Sequence, residues 1–224
     1  MTTLNTAPVA PLLDRLFAVN DAADPASDPA LAAYWSSLDP QQRSALMQTR
    51  TGYVDFYARM KDIPLAVSRE TGNLLYMLAR VSGARSIVEF GTSFGLSTLC
   101  LAAALRDNGG GRLITSEFEP SKVARARQHL AEGGLADLVE CREGDALETL
   151  SRDLPATVDL LLLDGAKGLY PDILALIEPH LRPGAVILAD NADHCPAYLE
   201  RVRGGEGYLS LPFSDEVEFS IRLG

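Results

Sequence analysis

Cysteine is scarce in this chain, and the three present, Cys100, Cys141 and Cys195, stand far apart and in no metal-ligand spacing. An odd, scattered set excludes a disulfide framework and suits a reducing compartment. Positive charge is also short. The formal net charge is −10, from 20 Lys+Arg against 30 Asp+Glu, a balance that repels phosphate backbones and excludes nucleic acid as the expected partner. The densest basic stretch, Lys122 to Arg127, sits at helical spacing beside Glu119 and is expected to form a solvated helix face. Long apolar runs are missing too: Val158–Leu163 contains Asp159 and is followed by Asp164, so no membrane span is expected. The N-terminal stretch MTTLNTAPVAPLLDRLF lacks the basic n-region and apolar core of a signal peptide. The expectation is a soluble, cytoplasmic protein that binds neither membrane nor nucleic acid.

What the chain does have is enough apolar material for a core: 47% hydrophobic and 22% charged residues over 224 positions, the length of one sizeable domain. Residues 1–62 differ in character from residues 63–224 and are read as an N-terminal helical extension. Leu12, Leu13, Leu16 and Phe17 mark a short apolar helix, DAADPASDPA reads as a loop, and Asp39 with Pro40 starts a further helix. Along it Leu46, Tyr53 and Met60 recur every seven residues, beside Phe56 and Tyr57. That stripe needs a partner surface: the domain itself, a second subunit, or a substrate beneath a lid. From Val67 the pattern becomes a helix ending near Gly83, then short apolar runs alternating with amphipathic stretches. SIVEF, GRLITSE, LVECRE, VDLLLLD and AVILAD read as five strands with helices between them. This predicts a doubly wound, mostly parallel α/β sheet with right-handed crossovers. The tail, GYLSLPF and VEFSIR around the turn SDE, predicts an antiparallel pair at a sheet edge, with Val217, Phe219 and Ile221 on the buried face.

Ligands of such sheets bind beyond the carboxyl ends of the strands. After the first strand stands Glu89-Phe-Gly91-Thr92-Ser93-Phe-Gly95, whose two glycines let backbone approach a ligand at a helix N-terminus. It is not the three-glycine dinucleotide fingerprint, because position 93 is Ser. Glu117 ends the second strand, where a carboxylate can accept two hydrogen bonds from ribose hydroxyls; Glu119 is expected to be exposed. After the third strand comes Gly144-Asp145-Ala146, in which Asp145 either faces an adenine amino group or caps the next helix. The fourth strand ends in Asp164-Gly-Ala-Lys167, with Tyr170 beyond, and the fifth in Asp190-Asn191. Asp164, Asp190 and Asn191 are three oxygen ligands suited to a hard cation such as Mg²⁺ or Ca²⁺, with Lys167 close enough to act as a base. Alternatively the two aspartates cap helices or bind cofactor without a metal.

EFGTSFG, ITSEFEP, GDA, LLLDGAK with Tyr170, and LRPGAVILADN, in order from about Pro64 to Asn191, resemble the metal-dependent O-methyltransferases of the catechol and caffeoyl-CoA type. The resemblance implies a Rossmann-like fold, S-adenosylmethionine as cofactor, a divalent cation, a homodimer, and a small hydroxylated acceptor. It places the cofactor's methionine part on Gly91 to Gly95, with Glu89 and Thr92 in that loop and Ser97 toward the carboxylate. Its ribose falls on Glu117 and its adenine on Asp145 and Ala146, with Asp164 shared between cofactor and metal. The metal ligands fall on Asp164, Asp190 and Asn191, and the catalytic lysine on Lys167. Departures are Ala-Asp193-His194-Cys195-Pro196 after Asn191, Ala166 before the lysine, and a short C-terminal part. His129 and His180 are given no role; for His194 the readings are a reach to the metal or an acceptor, or a loop histidine without a role, the second being favoured. A dehydrogenase is disfavoured by the missing third glycine and by the absence of a Tyr-x-x-x-Lys pair. A nucleic-acid methyltransferase is disfavoured by acidity and by the absence of an Asn-Pro-Pro-Tyr type motif. A metal-independent methyltransferase and a cofactor-binding scaffold without catalysis stay open.

Overall fold

The computed structural model describes residues 2–224. The five apolar runs form parallel strands β1 (Ser86–Phe90), β2 (Arg112–Glu117), β3 (Val139–Glu143), β4 (Val158–Leu163) and β5 (Leu181–Ala189). The tail adds β6 (Tyr208–Pro212) and β7 (Glu218–Arg222), which run antiparallel, in the order β3-β2-β1-β4-β5-β7-β6. The order reverses between β1 and β4, and the crevice at that reversal is where such sheets take a ligand. In β4, Leu160 and Leu162 face one apolar layer while Leu161 and Leu163 face the other, all fully buried. A strand covered on both faces is apolar throughout for this reason.

One layer holds α1 (Val9–Ala22), α5 (Arg69–Val81), α6 (Leu96–Asp107) and α7 (Pro120–Glu132). The other holds α8 (Ala146–Thr149), α9 (Tyr170–Ile177) and α10 (Pro196–Arg203). Leu12, Leu13, Leu16 and Phe17 of α1 are all buried in the first layer, so the start of the N-terminal segment belongs to the main core.

Three local expectations are corrected. The stretch read as a loop before Asp39 contains α2 (Pro29–Ser37), started by Asp28, which accepts hydrogen bonds from the N–H groups of Ala30 and Leu31. The Leu46/Tyr53/Met60 stripe is split: Leu46 lies on α3 (Pro40–Met47), Tyr53 on α4 (Tyr53–Ala58) and Met60 in the turn after it. The Asp39 cap with Pro40 is present, but Thr49 Oγ1 accepts the N–H of Gly52 at 3.1 Å and closes a turn between the two. Tyr53 and Met60 are buried and Leu46 is half-buried, packed within this same chain against Leu31, Trp35 and the layer beneath. In β7 the most buried side chains besides Val217 are Glu218 and Ser220, not Phe219 and Ile221. Both sheet faces are covered there, and Glu218 is held by Arg203 of α10 at 2.8 and 2.6 Å and by Ser210 at 2.6 Å.

Asp159, the charge inside β4, ties the bottom of the sheet together. Its carboxylate accepts the N–H groups of Arg85 and Ser86 and the Arg182 guanidinium. Burial pushes this carboxyl up, but the Arg182 hydrogen bond, the two N–H groups and the Arg182 charge outweigh it and hold it low. A carboxyl that titrates lower when folded stabilises fully above the unfolded value and loses that contribution as pH falls through the folded one. Asp159→Asn should therefore cost about 1–2 kcal/mol near neutral pH. Its Tm deficit should shrink as pH falls below the ordinary aspartate range and through the lowered folded value. A deficit independent of pH, read by thermal unfolding across the acid range, would contradict this account.

Candidate active site

A cavity of about 600 Å³ opens at the carboxyl ends of β1, β2, β4 and β5. Its floor is the turn after β1. Gly91 sits at φ +101, and a Cβ there would fall on the carbonyl of Asp164. This cradle admits a ligand against bare backbone and nothing larger than hydrogen at that position. Gly91 and Ser93 line the cavity. Behind them Thr92 Oγ1 shares a hydrogen bond with Thr115 Oγ1 at 2.6 Å. Gly95 caps α6 and packs against Ala126. Ser97 and Thr98 donate to the two oxygens of fully buried Glu89, each at 2.6 Å. Burial pushes the Glu89 carboxyl up. Glu89, Thr92, Gly95 and Ser97 thus build the wall from behind, while Gly91 and Ser93 face the cavity.

Glu117 ends β2 inside the cavity, held by the N–H of Ser93 at 2.9 Å and of Glu119 at 3.0 Å, one on each oxygen. Each oxygen keeps a lone pair for a ribose hydroxyl. Glu119 is half-buried at the rim and caps α7 through Ser121. Ala146 lines the cavity; Asp145 is exposed and caps α8 through the N–H of Leu147 at 2.8 Å.

The remaining expected residues stand beyond the ends of β4 and β5. Lys167 is buried, its ammonium donating to Asp164 Oδ1 at 3.2 Å and to Tyr170 Oη at 2.9 Å. Tyr170 Oη in turn donates to the carbonyl of Asp190 at 2.7 Å, which locks the loops after β4 and β5 together. Burial pulls the Lys167 ammonium down, but Asp164, Tyr57 and Asp190 overcome it and hold it charged. Burial pushes the Asp164 carboxyl up against the opposing pull of Lys167. Asp190 is pushed up to about 7 by burial and by the neighbouring Asp164 charge. Asn191 is left-handed at φ +47, and its side-chain nitrogen donates to Glu216 at 3.3 Å. Among the described residues no three His, Cys, Asp or Glu side chains form a metal cluster. The donor set here is two carboxylates and an amide, with two buried acids that repel each other unless a cation stands nearby, which fits a hard divalent ion.

Several cavity residues were not foreseen. Helix α4 brings Tyr53 over Phe118, edge-on with ring centroids 6.1 Å apart, and Tyr57 to the Lys167 end. The turn before α4 is seated on the loop after β4, where a Cβ on Gly168 would meet the carbonyls of Gln48 and Thr49. Glu216 joins from the β6–β7 turn. Lys122, expected on a solvated face, is 4% exposed and lines the cavity. Val123, Ala126 and Leu130 make that side of α7 its buried one, and Lys122 lies one turn before Ala126. His194 is exposed beside Asp193, and His129 meets the Phe94 carbonyl at 2.8 Å. No described helix is long and apolar enough to cross a membrane.

An open α/β sheet whose crevice pairs a glycine cradle with an acid at the second strand end defines the class of adenosine-cofactor binding folds. The particular family follows from likeness to known proteins. A methyltransferase-domain family matches residues 88–192. The chain is 34% identical over 175 residues to catechol O-methyltransferase B of Danio rerio, across 75% of this chain and 66% of that protein. It is 35% identical over 130 residues to a catechol O-methyltransferase of Niastella koreensis, across 57% of this chain and 58% of that protein. The match thus spans less than two thirds of the length of either relative. The solved O-methyltransferase TomG of Streptomyces achromogenes, involved in tomaymycin synthesis and crystallised with SAM, superposes with a TM-score of 0.63. It is 30% identical, over 87% of this chain and 96% of that one. This chain belongs to the O-methyltransferase family.

Proposed function

We propose that this protein is an S-adenosylmethionine-dependent O-methyltransferase for a small hydroxylated, catechol-like acceptor, with Lys167 as its base. The observation that carries the reading is one cavity lined together by Gly91, Glu117, Asp164, Lys167 and Asp190. Glu117 would fix the ribose, Gly91 and Ser93 the methionine part, and Ala146 with Tyr53 and Phe118 the adenine. The cofactor supplies an electrophilic methyl on sulfonium. Lys167 is held as an ammonium by Asp164, Tyr57 and Asp190. Positive charge brought beside those acids by a cation and by the sulfonium would favour loss of its proton. The neutral Nζ would then take the proton of an acceptor hydroxyl as the O–CH₃ bond forms and the S–CH₃ bond breaks, leaving S-adenosylhomocysteine and the proton on Lys167. Tyr57 and the aromatic wall of α4 would align the ring and exclude water. Within the N-terminal segment, residues 1–62, the part from Met47 to Met60 that lines the cavity would serve as a cover of the acceptor site.

Asp164, Asp190 and Asn191 would hold a divalent cation, Mg²⁺ or Ca²⁺, which supplies positive charge for two vicinal acceptor oxygens. The test is methyl transfer with Mg²⁺ and again with EDTA, together with Mn²⁺ binding by electron paramagnetic resonance. Transfer is expected to stop with EDTA and return with Mg²⁺, and Asp190→Ala should lose the bound Mn²⁺ signal. Full transfer in EDTA would leave the two aspartates to the cofactor and favour a metal-independent methyltransferase. S-adenosylhomocysteine binding without turnover of any acceptor would favour the scaffold reading.

The protein is also proposed to act in the cytoplasm and as a homodimer. The Leu46/Tyr53/Met60 stripe is consumed within the chain, so the support comes from exposed Leu209, Leu211 and Phe213 at the β6 edge. A single-chain mass in analytical ultracentrifugation at micromolar concentration would remove the dimer.

A further inference from the structure

The cavity is lined by six acids, Asp21, Glu117, Glu119, Asp164, Asp190 and Glu216, and by two cations, Lys122 and Lys167. These are two of only three lysines in the whole chain. An acid-lined pocket attracts a sulfonium and an ammonium but repels a carboxylate. S-adenosylmethionine carries all three groups, so its carboxylate needs a cation of its own. Lys167 is engaged by Asp164 and Tyr170. Ser97, the residue expected to face that carboxylate, donates its hydroxyl to Glu89 behind the wall. Lys122 is left.

Its Nζ lies 5.7 Å from the Phe94 ring centroid, and the Arg125 guanidinium lies 4.7 Å from the same ring. Arg125 is paired outward with Asp62 at 3.0 Å. Phe94 follows Ser93, whose N–H binds Glu117 and whose hydroxyl accepts the N–H of Leu65 at 3.2 Å. The lysine therefore stands at the junction of the β1 turn, the Pro64–Ala66 segment and the Glu117 strand end, within the electrostatic reach of both Glu117 and Asp164. Burial pulls its ammonium down, against the opposing pull of Glu117, Glu119 and Asp164. A second anion beside it would further favour its charged form.

Resting on the cofactor assignment above, we propose that Lys122 is the counter-ion of the cofactor's methionine carboxylate and selects amino-acid-bearing adenosyl ligands over plain thionucleosides. The role is one of binding specificity, distinct from that of Lys167 in the chemistry. The alternative is that Lys122 acts only through Glu117, steadying the ribose acid. The two differ in which ligands feel the loss.

The test is calorimetric titration with S-adenosylhomocysteine and with 5′-methylthioadenosine, which keeps the adenosine and the thioether but has no amino acid. Lys122→Met should weaken S-adenosylhomocysteine by about 10- to 100-fold, the range of a charge-assisted hydrogen bond. Methylthioadenosine should change by less than about 2-fold, and Lys122→Arg should recover part of the loss. An equal loss for both ligands, or no loss for either, overturns the proposal. The unsubstituted protein gives a reading that needs no variant to fold. Decarboxylated S-adenosylhomocysteine, which keeps the amine, should bind about 10-fold or more weakly than the parent; equal affinity overturns the proposal and leaves the cofactor assignment standing. Failure of the unsubstituted protein to bind S-adenosylhomocysteine at all would remove both.

Discussion

Lys167→Met should bind S-adenosylhomocysteine as the parent does and lose turnover, with kcat lower by about 10²–10⁴-fold, the usual worth of a positioned acid–base group. The expectation rests on where the ammonium is held. It lies 3.2 Å from Asp164 Oδ1 and 2.9 Å from Tyr170 Oη, in the loop after β4 and not in the β1 turn or at the end of β2. The cofactor contacts assigned to Gly91, Ser93 and Glu117 do not pass through it. Removing it leaves Asp164 buried beside Asp190 with one cation fewer, so the variant should also lose some thermal stability. A loss of cofactor affinity as large as the loss of kcat would show Lys167 to be a binding residue instead. Lys167→Arg separates charge from proton transfer: it should regain stability without regaining turnover, because a guanidinium does not give up its proton near neutral pH.

Gly91→Ala should reduce kcat/KM by about 10²-fold or more, since displacement of aligned groups by an ångström has that effect. Two independent reasons meet at this residue. Its φ of +101 is a conformation that side-chain-bearing residues rarely adopt, and an added Cβ would land on the Asp164 carbonyl. Either the turn gives way and the cradle is lost, or β1 and β4 separate where Asp164 N–H bonds the Phe90 carbonyl at 2.8 Å. Here, unlike in Lys167→Met, S-adenosylhomocysteine affinity should fall together with turnover. Unchanged affinity in a folded Gly91→Ala protein would mean that the ligand does not lie against this turn.

The sheet was legible because its strands are short apolar runs bounded by glycine, proline and charge, and because each strand end carries a polar residue that a core strand would not. VDLLLLD is the clearest case: Leu160 to Leu163 must be covered on both faces, and Asp159 and Asp164 mark where the layers stop. The N-terminal segment was less legible. A spacing of seven in Leu46, Tyr53 and Met60 suits one helix, yet the Thr49–Gly52 turn breaks it, and its packing on Gly168 is a contact made 119 or 120 residues along the chain. The face of β7 was misread because alternation reveals burial only when one side of a strand meets water. With α10 covering the other side, Glu218 is buried by pairing with Arg203.

At the site, residues that end strands were visible and residues that arrive from helices were not. Glu117, Asp164 and Asp190 stand where parallel sheets bring their ligands. Lys122 looked like one of several charges in a basic run. The signal that would have found it is its place four residues before Ala126, on the side of α7 marked as buried by Val123, Ala126 and Leu130. Tyr53 and Tyr57, one helical turn apart, belonged to a stripe whose spacing left packing, a second subunit and a substrate lid all open, and only the fold sets one over Phe118 and the other toward Lys167.

The measurement that tests the central claim most directly is transfer of a labelled methyl group from S-adenosylmethionine to a panel of catechols in Mg²⁺ buffer, with Lys167→Met alongside. The account predicts a labelled, singly O-methylated product and stoichiometric S-adenosylhomocysteine from the parent protein, and neither above background from the variant. Equal product from parent and variant would contradict the assignment of Lys167, and no product from any vicinal diol would contradict the proposed acceptor class.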